Sequence, residues 1–474
     1  MALTFDQFLR LPKSIKYFLF DLTGWNGASS TTFRVSNLAK ILNGYYYEPR
    51  VKGIPSFSRV MQLWKFVSSQ TSFGNLLIAN GDGQFDSMHN WIMEGRNFSC
   101  IVGGGISGNE LVDGDYTLVL KGIMEKPEYS DNQIIIPIRD YSERLKKNLP
   151  NSFYTTAADM PQETIGSPIP LCFGTVKNIK PVLIDDFTMT YQVHEGRIND
   201  VPAVYDDGSI FTSYTKDLTN GKFTLTAAPV GGLDRVTCDV QGYHNGTKFL
   251  TKPGEILSRI ATTYTDLVAG DLDAASFTQL DVGRPYDVGV YIRDQRTVFS
   301  VFDDMLMGIL ADWGFTRAGK LQVLAFELPG AYTEQYDDYE MIKFRELKNI
   351  LPAVYHRFSI RYKQDWSDDG KTLQEVREDP TILVNYADAE EKEINTYLVN
   401  QADAQAVGDK FLLIFDGTHY VLEFTIKIRA FVHNLMETIR ISRSRYSMAN
   451  KDFRIIGINE NYTNNKITLT CFGG

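Results

Sequence analysis

The sequence predicts a multidomain, mainly β protein with α+β content, in which two related β-barrel domains of tube type flank a small β-domain and an α+β domain. Three observations predict it. Aromatic residues are abundant, with 29 Phe and 25 Tyr, as pleated and half-buried sheet surfaces favour. The 474 residues exceed what one hydrophobic core organises, and at about 150 residues per domain they imply three or four domains. One hairpin pattern occurs near each end of the chain.

From Gly122 the chain reads Gly-Ile-Met-Glu125, then Tyr129-Ser-Asp-Asn132-Gln-Ile134-Ile-Ile136; from Gly457 it reads Gly-Ile-Asn-Glu460, then Tyr462-Thr-Asn-Asn465-Lys-Ile467-Thr-Leu469. Each is a strand, a polar tight turn and a returning strand. Asn and Asp tolerate the left-handed backbone of a hairpin turn, and the alternation puts Ile134 and Ile136, like Ile467 and Leu469, on one buried face. Good hairpins can converge; the reading adopted is a duplicated β-domain.

In chain order, residues 1–27 end in a hydrophobic run from Tyr17 to Trp25, an N-terminal arm or a first strand. The first barrel, 28–150, takes strands Thr31 to Val35, Ser72 to Ala79, Phe98 to Val102, Tyr116 to Ile123 and Ile134 to Ile138. A short helix from Gln84 to Glu94 has Phe85, Met88, Trp91 and Ile92 at helical spacing and closes the barrel end. The β insert, 151–252, opens with a Pro-rich connection and alternates over Phe187 to Val193 and Lys222 to Thr226.

The α+β domain, 253–346, starts where the period changes. Pro253-Gly-Glu is a helix entrance, and Ile256, Leu257, Ile260, Ala261 and Tyr264 share a face. A second helix runs from Thr297, its N-cap, to Ala311, with Val298, Val301, Phe302, Met305, Leu306 and Ile309 buried. Strands Val288 to Ile292 and Leu321 to Phe326 flank it. The second barrel, 347–474, takes strand Arg357 to Tyr362, an acidic surface loop from Asp365 to Glu393, a helix from Asn400 to Leu413, and strands Val421 to Arg429, Thr438 to Ile441, Phe453 to Ile458 and Lys466 to Cys471. Its strands, single helix and closing hairpin echo the first barrel. The long, charged segment 365–393 has few apolar anchors and is expected to be mobile or ordered by a partner.

Composition narrows the function classes. A net charge of −10 and a sequence pI near 5.3 repel phosphate backbones, which disfavours sequence-reading of nucleic acid. No run reaches the ~18 apolar residues of a membrane helix, and Asp6 stands where a signal peptide would be basic. A soluble protein made in the cytoplasm is expected, for which the sequons at Asn97, Asn245 and Asn461 are chance matches. Cys100, Cys172, Cys238 and Cys471 are far apart without metal-ligand spacing and read as buried small residues rather than a zinc or iron–sulfur set.

Candidate chemistry is sparse. Gly103-Gly-Gly-Ile-Ser-Gly108 fits GxGxxG, but a dinucleotide fingerprint must open a helix, and Asn109, Asp113 and Gly114 prolong a turn instead; a hairpin loop is expected. Asp140, Glu143, Asp185, Asp186, Asp206 and Asp207 could supply a glycosidase pair, yet nothing in their spacing fixes one, and they read as solvated. His89, His194, His244, His356, His419 and His433 form no metal motif, and no Ser stands in a GxSxG elbow. His194 and His244 read as satisfied polar groups. Arg440, Arg443 and Arg445 could face phosphate; pairing with the acidic segment 365–393 is the reading preferred. No catalytic, cofactor-binding or metal residue is assigned.

The chain resembles the tail-tip or baseplate hub proteins of tailed bacteriophages. The resemblance rests on Phe73-Gly-Asn-Leu-Leu-Ile-Ala-Asn-Gly-Asp-Gly83, on Pro170-Leu-Cys-Phe-Gly174 followed by Val182 to Val193, on Ser276 to Asp281 and Tyr286 to Arg293 before a helix and Trp-Gly-Phe315, and on Arg445-Tyr, Phe453-Arg-Ile-Ile-Gly and Lys466-Ile-Thr-Leu. It covers most of the chain, and its motifs are structural. It implies a non-enzymatic structural protein of the virion, a homotrimeric ring beneath the six-fold tail tube that meets the distal tail protein, the tape-measure protein and receptor-binding fibres or tip proteins, with DNA passing at infection. Some relatives carry a lysozyme, a peptidase or an iron–sulfur domain, none of which is carried onto this chain. The alternatives are a glycan-binding adhesin using the aromatic residues and, less favoured, a glycoside hydrolase.

Overall fold

The computed structural model describes residues 3–11, 14–62, 70–106, 109–157, 159–346, 354–367, 372–427 and 431–474. The run from Tyr17 forms a strand, Ile15–Trp25, with Phe18, Phe20 and Leu22 buried on alternate positions. It lies inside the N-terminal sheet between Ser30–Ser36 and Asn97–Ile106. Across that sheet the main path is Lys40–Leu42, Tyr45–Pro49, Ser30–Ser36, Ile15–Trp25, Asn97–Ile106, Thr117–Met124, Gln133–Arg139, Asn75–Ala79 and Val51–Gly53. One face covers a core of Phe20, Leu76, Ile78, Phe98, Val102, Ile134 and Ile136.

The C-terminal sheet runs Glu334–Asp337, Thr438–Ser442, Lys451–Asn461, Lys466–Gly473, Tyr420–Lys427 and Met341–Glu346. Its order matches the N-terminal one. Take Asn75–Ala79, Asn97–Ile106, Thr117–Met124 and Gln133–Arg139 as strands one to four: they lie side by side as 2-3-4-1, all antiparallel. Tyr420–Lys427, Thr438–Ser442, Lys451–Asn461 and Lys466–Gly473 lie in the same 2-3-4-1 order, again antiparallel. This is a Greek key, and the returning fourth strand carries the repeated hairpin. In both sheets a preceding strand, Val51–Gly53 or Met341–Glu346, pairs antiparallel with strand one. Ile134, Ile136, Ile467 and Leu469 are all buried, as the alternation predicts.

The two sheets also differ. Among the described residues neither closes into a barrel, because the end strands of each path are not paired to each other. The first hairpin is splayed: Thr117–Met124 meets Gln133–Arg139 only at Ile123 and Met124, and after Pro127 the short strand Glu128–Tyr129 takes over the pairing. The second hairpin stays paired to Asn461↔Lys466, with Asn465 left-handed at φ 50°.

Several expected elements are corrected. Gln84 to Glu94 is not an α-helix; only a 3-10 turn, Asp86–Asn90, forms. Asn80 accepts from the Phe85 N–H and donates to Asp86, and such side-chain bonds compete with helix formation. That turn and the helix Gln401–Phe415 occupy different places in their units, so the helix is no part of the match. The helix begun at Thr297 ends at Met307, since Leu310 is left-handed at φ 55° and Ala311 starts a strand. The expected strand from Phe187 begins at Thr190, and Phe187 stands in a turn. The strand at Val421 spans Tyr420–Lys427; Ile428 and Arg429 lie outside the described residues.

The segment 365–393 is not a surface loop. Leu373–Glu378 and Glu390–Asn395 flank Tyr355–Tyr362 in a three-stranded sheet covered by Gln401–Phe415; residues 368–371 lie outside the description. Opposite charges face each other across these strands, as in Arg361–Glu393 and Arg357–Glu378, while Ile360 and Ile394 are buried. A charged strand therefore reads as a loop only when its partner is unseen.

Between the terminal sheets, the insert packs a five-stranded sheet on a four-stranded one around Val176, Tyr191, Val193, Val204 and Phe223. Gly289–Ile292 completes the larger sheet against Leu171–Ile179, tying the insert to the helical unit. In that unit Pro253–Tyr264 buries Ile256, Leu257, Ile260, Ala261 and Tyr264, and Thr297 Oγ1 accepts from Ser300 N–H at 3.1 Å as the expected N-cap.

Candidate assembly interface

The terminal sheets are interlocked. Between Val51–Gly53 and Asn75–Ala79 the chain leaves its own sheet, and the hairpin formed by Phe57–Val60 and Gln70–Phe73 adds to the C-terminal sheet. Lys451–Asn461 is long enough to serve two partners along one edge: Thr438–Ser442 pairs with its first half, and Phe57–Val60 with Gly457 to Glu460. The second copy of the Gly-Ile-x-Glu motif, Gly457 to Glu460, thus lies where the two units meet. Glu460 is fully buried there and accepts from Arg317 Nη1 at 2.6 Å, from the Phe431 N–H at 2.7 Å and from Tyr462 Oη. Burial works against the Arg317 charge, yet Glu460 holds its pKa above the ordinary guanidinium value. Burial beside the same carboxylate pushes the Tyr462 phenol well up.

Aromatic rings continue the joint. Phe431 stacks on Tyr462 at 4.5 Å, and Phe18 of the N-terminal sheet reaches Tyr462 at 6.1 Å. Arg59, buried on the inserted hairpin, donates to Gln322 at 2.8 Å and so binds the helical unit to the same joint. Arg10, after the short helix Phe5–Leu9, pairs with Glu334, whose second oxygen accepts from Tyr336; Tyr336 contacts His433, and His433 faces Glu437 at 3.1 Å. Three units are therefore joined at one place by buried charge and rings. Among the described residues the far edge of the N-terminal sheet, Lys40–Leu42, takes no further strand: Ile41, Tyr45 and Tyr46 on its last hairpin are exposed, and Arg34 lies 3.8 Å over the Tyr45 ring.

The residues singled out for chemistry are spent elsewhere. Gly103 to Ile106 continue the strand Asn97–Ile106 opposite Ile15 to Tyr17, so no helix follows; Ser107 and Gly108 of the expected loop lie outside the described residues. A Cβ on Gly104, at φ 135°, would sit 2.0 Å from the Ile15 carbonyl oxygen, so close strand packing accounts for that glycine. Asp140 accepts from Ser142, and burial raises its pKa; Glu143 pairs with Lys146. Asp185 accepts from Thr188 N–H, Asp206 from two backbone N–H groups, and Asp207 faces Arg235 at 3.6 Å.

A cleft of about 710 Å³ is lined by other carboxylates, Asp303, Asp304 and Glu393, with Tyr397. They are engaged by Trp313, by Arg296 and Tyr397, and by Arg361. His194 accepts the Cys172 N–H, and burial pulls its pKa down to about 3, which makes it a neutral core acceptor. All four cysteines are free and buried, with thiol pKa values raised by burial. Arg440 and Arg443 do pair with carboxylates, but with Asp452 and Asp338 rather than the segment 365–393; Arg445 lies over the Tyr446 ring. Among the described residues no helix is long and apolar enough to cross a membrane.

Neither a family model nor a curated protein matches this chain. Three of the solved structures similar to it are tail proteins. A tail protein from Neisseria meningitidis MC58 is 10% identical, with 96% of each chain covered and a TM-score of 0.39. The 43 kDa tail protein of prophage MuSo2 from Shewanella oneidensis is 11% identical, with 96% of each chain covered and a TM-score of 0.42. The prophage tail protein gp18 from Listeria monocytogenes EGD-e is 8% identical over 95% of this chain and 94% of its own, with a TM-score of 0.41.

Proposed function

We propose that this chain is a structural, non-enzymatic protein of a bacteriophage tail, acting as a hub at the tip or baseplate. The observation that carries this reading is the 2-3-4-1 strand order shared by the two terminal sheets, each carrying the repeated hairpin. In this reading the units 28–150 and 347–474 are two copies of one ring-forming module, with 1–27 as an N-terminal strand and 151–252 and 253–346 as the insert and helical domains. A three-fold hub beneath a six-fold tube meets a symmetry mismatch, and two equivalent modules per chain remove it because three times two is six. A closed ring uses heterologous contacts, so each module would present one edge to the unlike module of its neighbour. The edge with Ile41, Tyr45 and Tyr46 suits such a contact.

The partners of this hub would be the distal tail protein, the tape-measure protein and receptor-binding fibres or tip proteins, in a virion assembled from chains made in the host cytoplasm. DNA would pass through the ring without specific binding, consistent with a net charge of −10. Trimers that depend on the tail surface for their stability leave a monomer in solution. Imaging of the purified particle tests the proposal. Three copies at the tail end, with their six modules at similar radius, are expected; six copies, or modules at unequal radius, would refute it.

A further inference from the structure

Three apolar side chains stand in solvent at one end of the insert. Phe187 is 82% exposed, Ile210 75% and Val230 100%. Phe187 stands in the reversal between Val182–Asp185 and Thr190–Gln192, Ile210 in the strand Ser209–Phe211 just after its turn from Ile198–Asp206, and Val230 in the loop after Lys222–Leu225. Hydrogen bonds hold these segments together. Leu225 N–H donates to the Met189 carbonyl at 3.1 Å, and Thr188 N–H to Asp185 at 2.7 Å. The Asp206 carboxylate receives Val230 N–H at 2.6 Å and Gly231 N–H at 2.9 Å, while Ile210 pairs with Tyr205 beside it. A Cβ on Gly231 would lie 2.7 Å from Asp206 Oδ1 and 2.9 Å from Asp207 Cβ, so the loop and the hairpin approach closely here.

Scattered exposed apolar residues need no explanation, but three on adjoining, hydrogen-bonded segments form a patch whose ordering cost is met before any partner arrives. The same segments carry Asp185 and Asp186 beside Phe187, Asp206 and Asp207 at the turn before Ile210, and Asp234 after Val230, against Arg235, which faces Asp207, and Lys180 in the adjoining cleft. This acidic collar repels anionic lipid headgroups and phosphate backbones. We propose that this end of the insert is a docking knob for a protein partner that offers an apolar socket rimmed by lysine or arginine. Three side chains fall short of the roughly 800 Å² per partner of a stable interface, so one copy binds weakly and several copies held together bind by avidity.

The full-length chain is titrated with two synthetic amphipathic peptides sharing one leucine face, one with a lysine rim and one with a glutamate rim, and with vesicles of phosphatidylglycerol and phosphatidylcholine. The lysine-rimmed peptide alone should bind, more weakly at about 0.5 M salt, and roughly tenfold more weakly to the Phe187→Ser, Ile210→Ser, Val230→Ser variant. That variant should melt like the parent, since its changes are on the surface. Reversing the collar with Asp186→Lys and Asp207→Lys should move the preference to the glutamate-rimmed peptide. Equal binding by parent and triple variant, no binding of either peptide, or capture of the vesicles would overturn the proposal.

Discussion

Arg317 and Glu460 meet at 2.6 Å in the interior, the arginine from the turn after Ala311–Phe315 and the glutamate from the long strand Lys451–Asn461. Lys121 N–H donates to the Arg317 carbonyl, so the N-terminal sheet shares the same anchor. Removing one partner of a buried pair leaves the other charge without its counter-charge. Glu460→Gln is expected to destabilise the chain by about 3 to 5 kcal/mol, and replacing both residues with Met to cost less than the sum of the single changes. Urea unfolding of the three variants checks this; a near-neutral Glu460→Gln would contradict a joint built on this pair.

The inserted hairpin should make the terminal sheets unfold as one. Phe57–Val60 lies between Lys451–Asn461 and Gln70–Phe73, so its N–H groups serve one neighbour or the other. Ser58→Pro removes one such bond inside a sheet. Calorimetry should show one main transition for the parent and separated transitions for the variant. A variant with a single unshifted transition would mean the hairpin couples nothing.

Asp281 gives the helical unit a pH dependence. Its carboxylate accepts from the Gly254 and Glu255 N–H groups at the entrance of Pro253–Tyr264, bonds that favour the charged form, yet burial dominates and raises its pKa to about 6. A raised folded-state pKa means the native state binds the proton more tightly. Its contribution to stability is fully present below pH ~4 and is lost as pH rises through about 6. Allowing for solvent screening, the loss is on the order of 1 to 2 kcal/mol. Stability curves of the parent and Asp281→Asn should diverge across that window, and parallel curves would discount the group.

The acidic region after Asp365 should resist protease in its paired parts. Arg377 pairs with Asp409 on the helix covering the three-stranded sheet, and a Cβ on Gly408 would lie 2.6 Å from the Arg377 side chain. Limited proteolysis should leave Leu373–Glu378 and Glu390–Asn395 uncut until global unfolding, whereas Gly408→Val should expose them. Early cleavage of the parent within either strand would show that the sheet opens independently.

The sequence alone determined the mainly β class, many of the longer strands, the helices begun at Pro253, Thr297 and Asn400, the buried faces of the first two, and the recurrence at Gly122 and Gly457, because side-chain alternation and helix-entry chemistry are local properties, whereas the helix Ala274–Gly283 was not read from the sequence. Thr297 capped its helix and Ile467 faced inward for reasons contained within a few residues. What only the tertiary structure decided depends on residues far apart in the chain. Glu460 became the buried centre of a joint because Arg317 comes to it from 143 positions away, and no spacing announces such a partner. The segment 365–393 became strands because Tyr355–Tyr362 supplies opposite charges and a hydrogen-bonding edge. Gln84 to Glu94 had helical spacing but lost its helix to bonds from Asn80. Local patterns set which face of an element is apolar; which charges are neutralised, and which sheet a strand joins, is set by long-range partners.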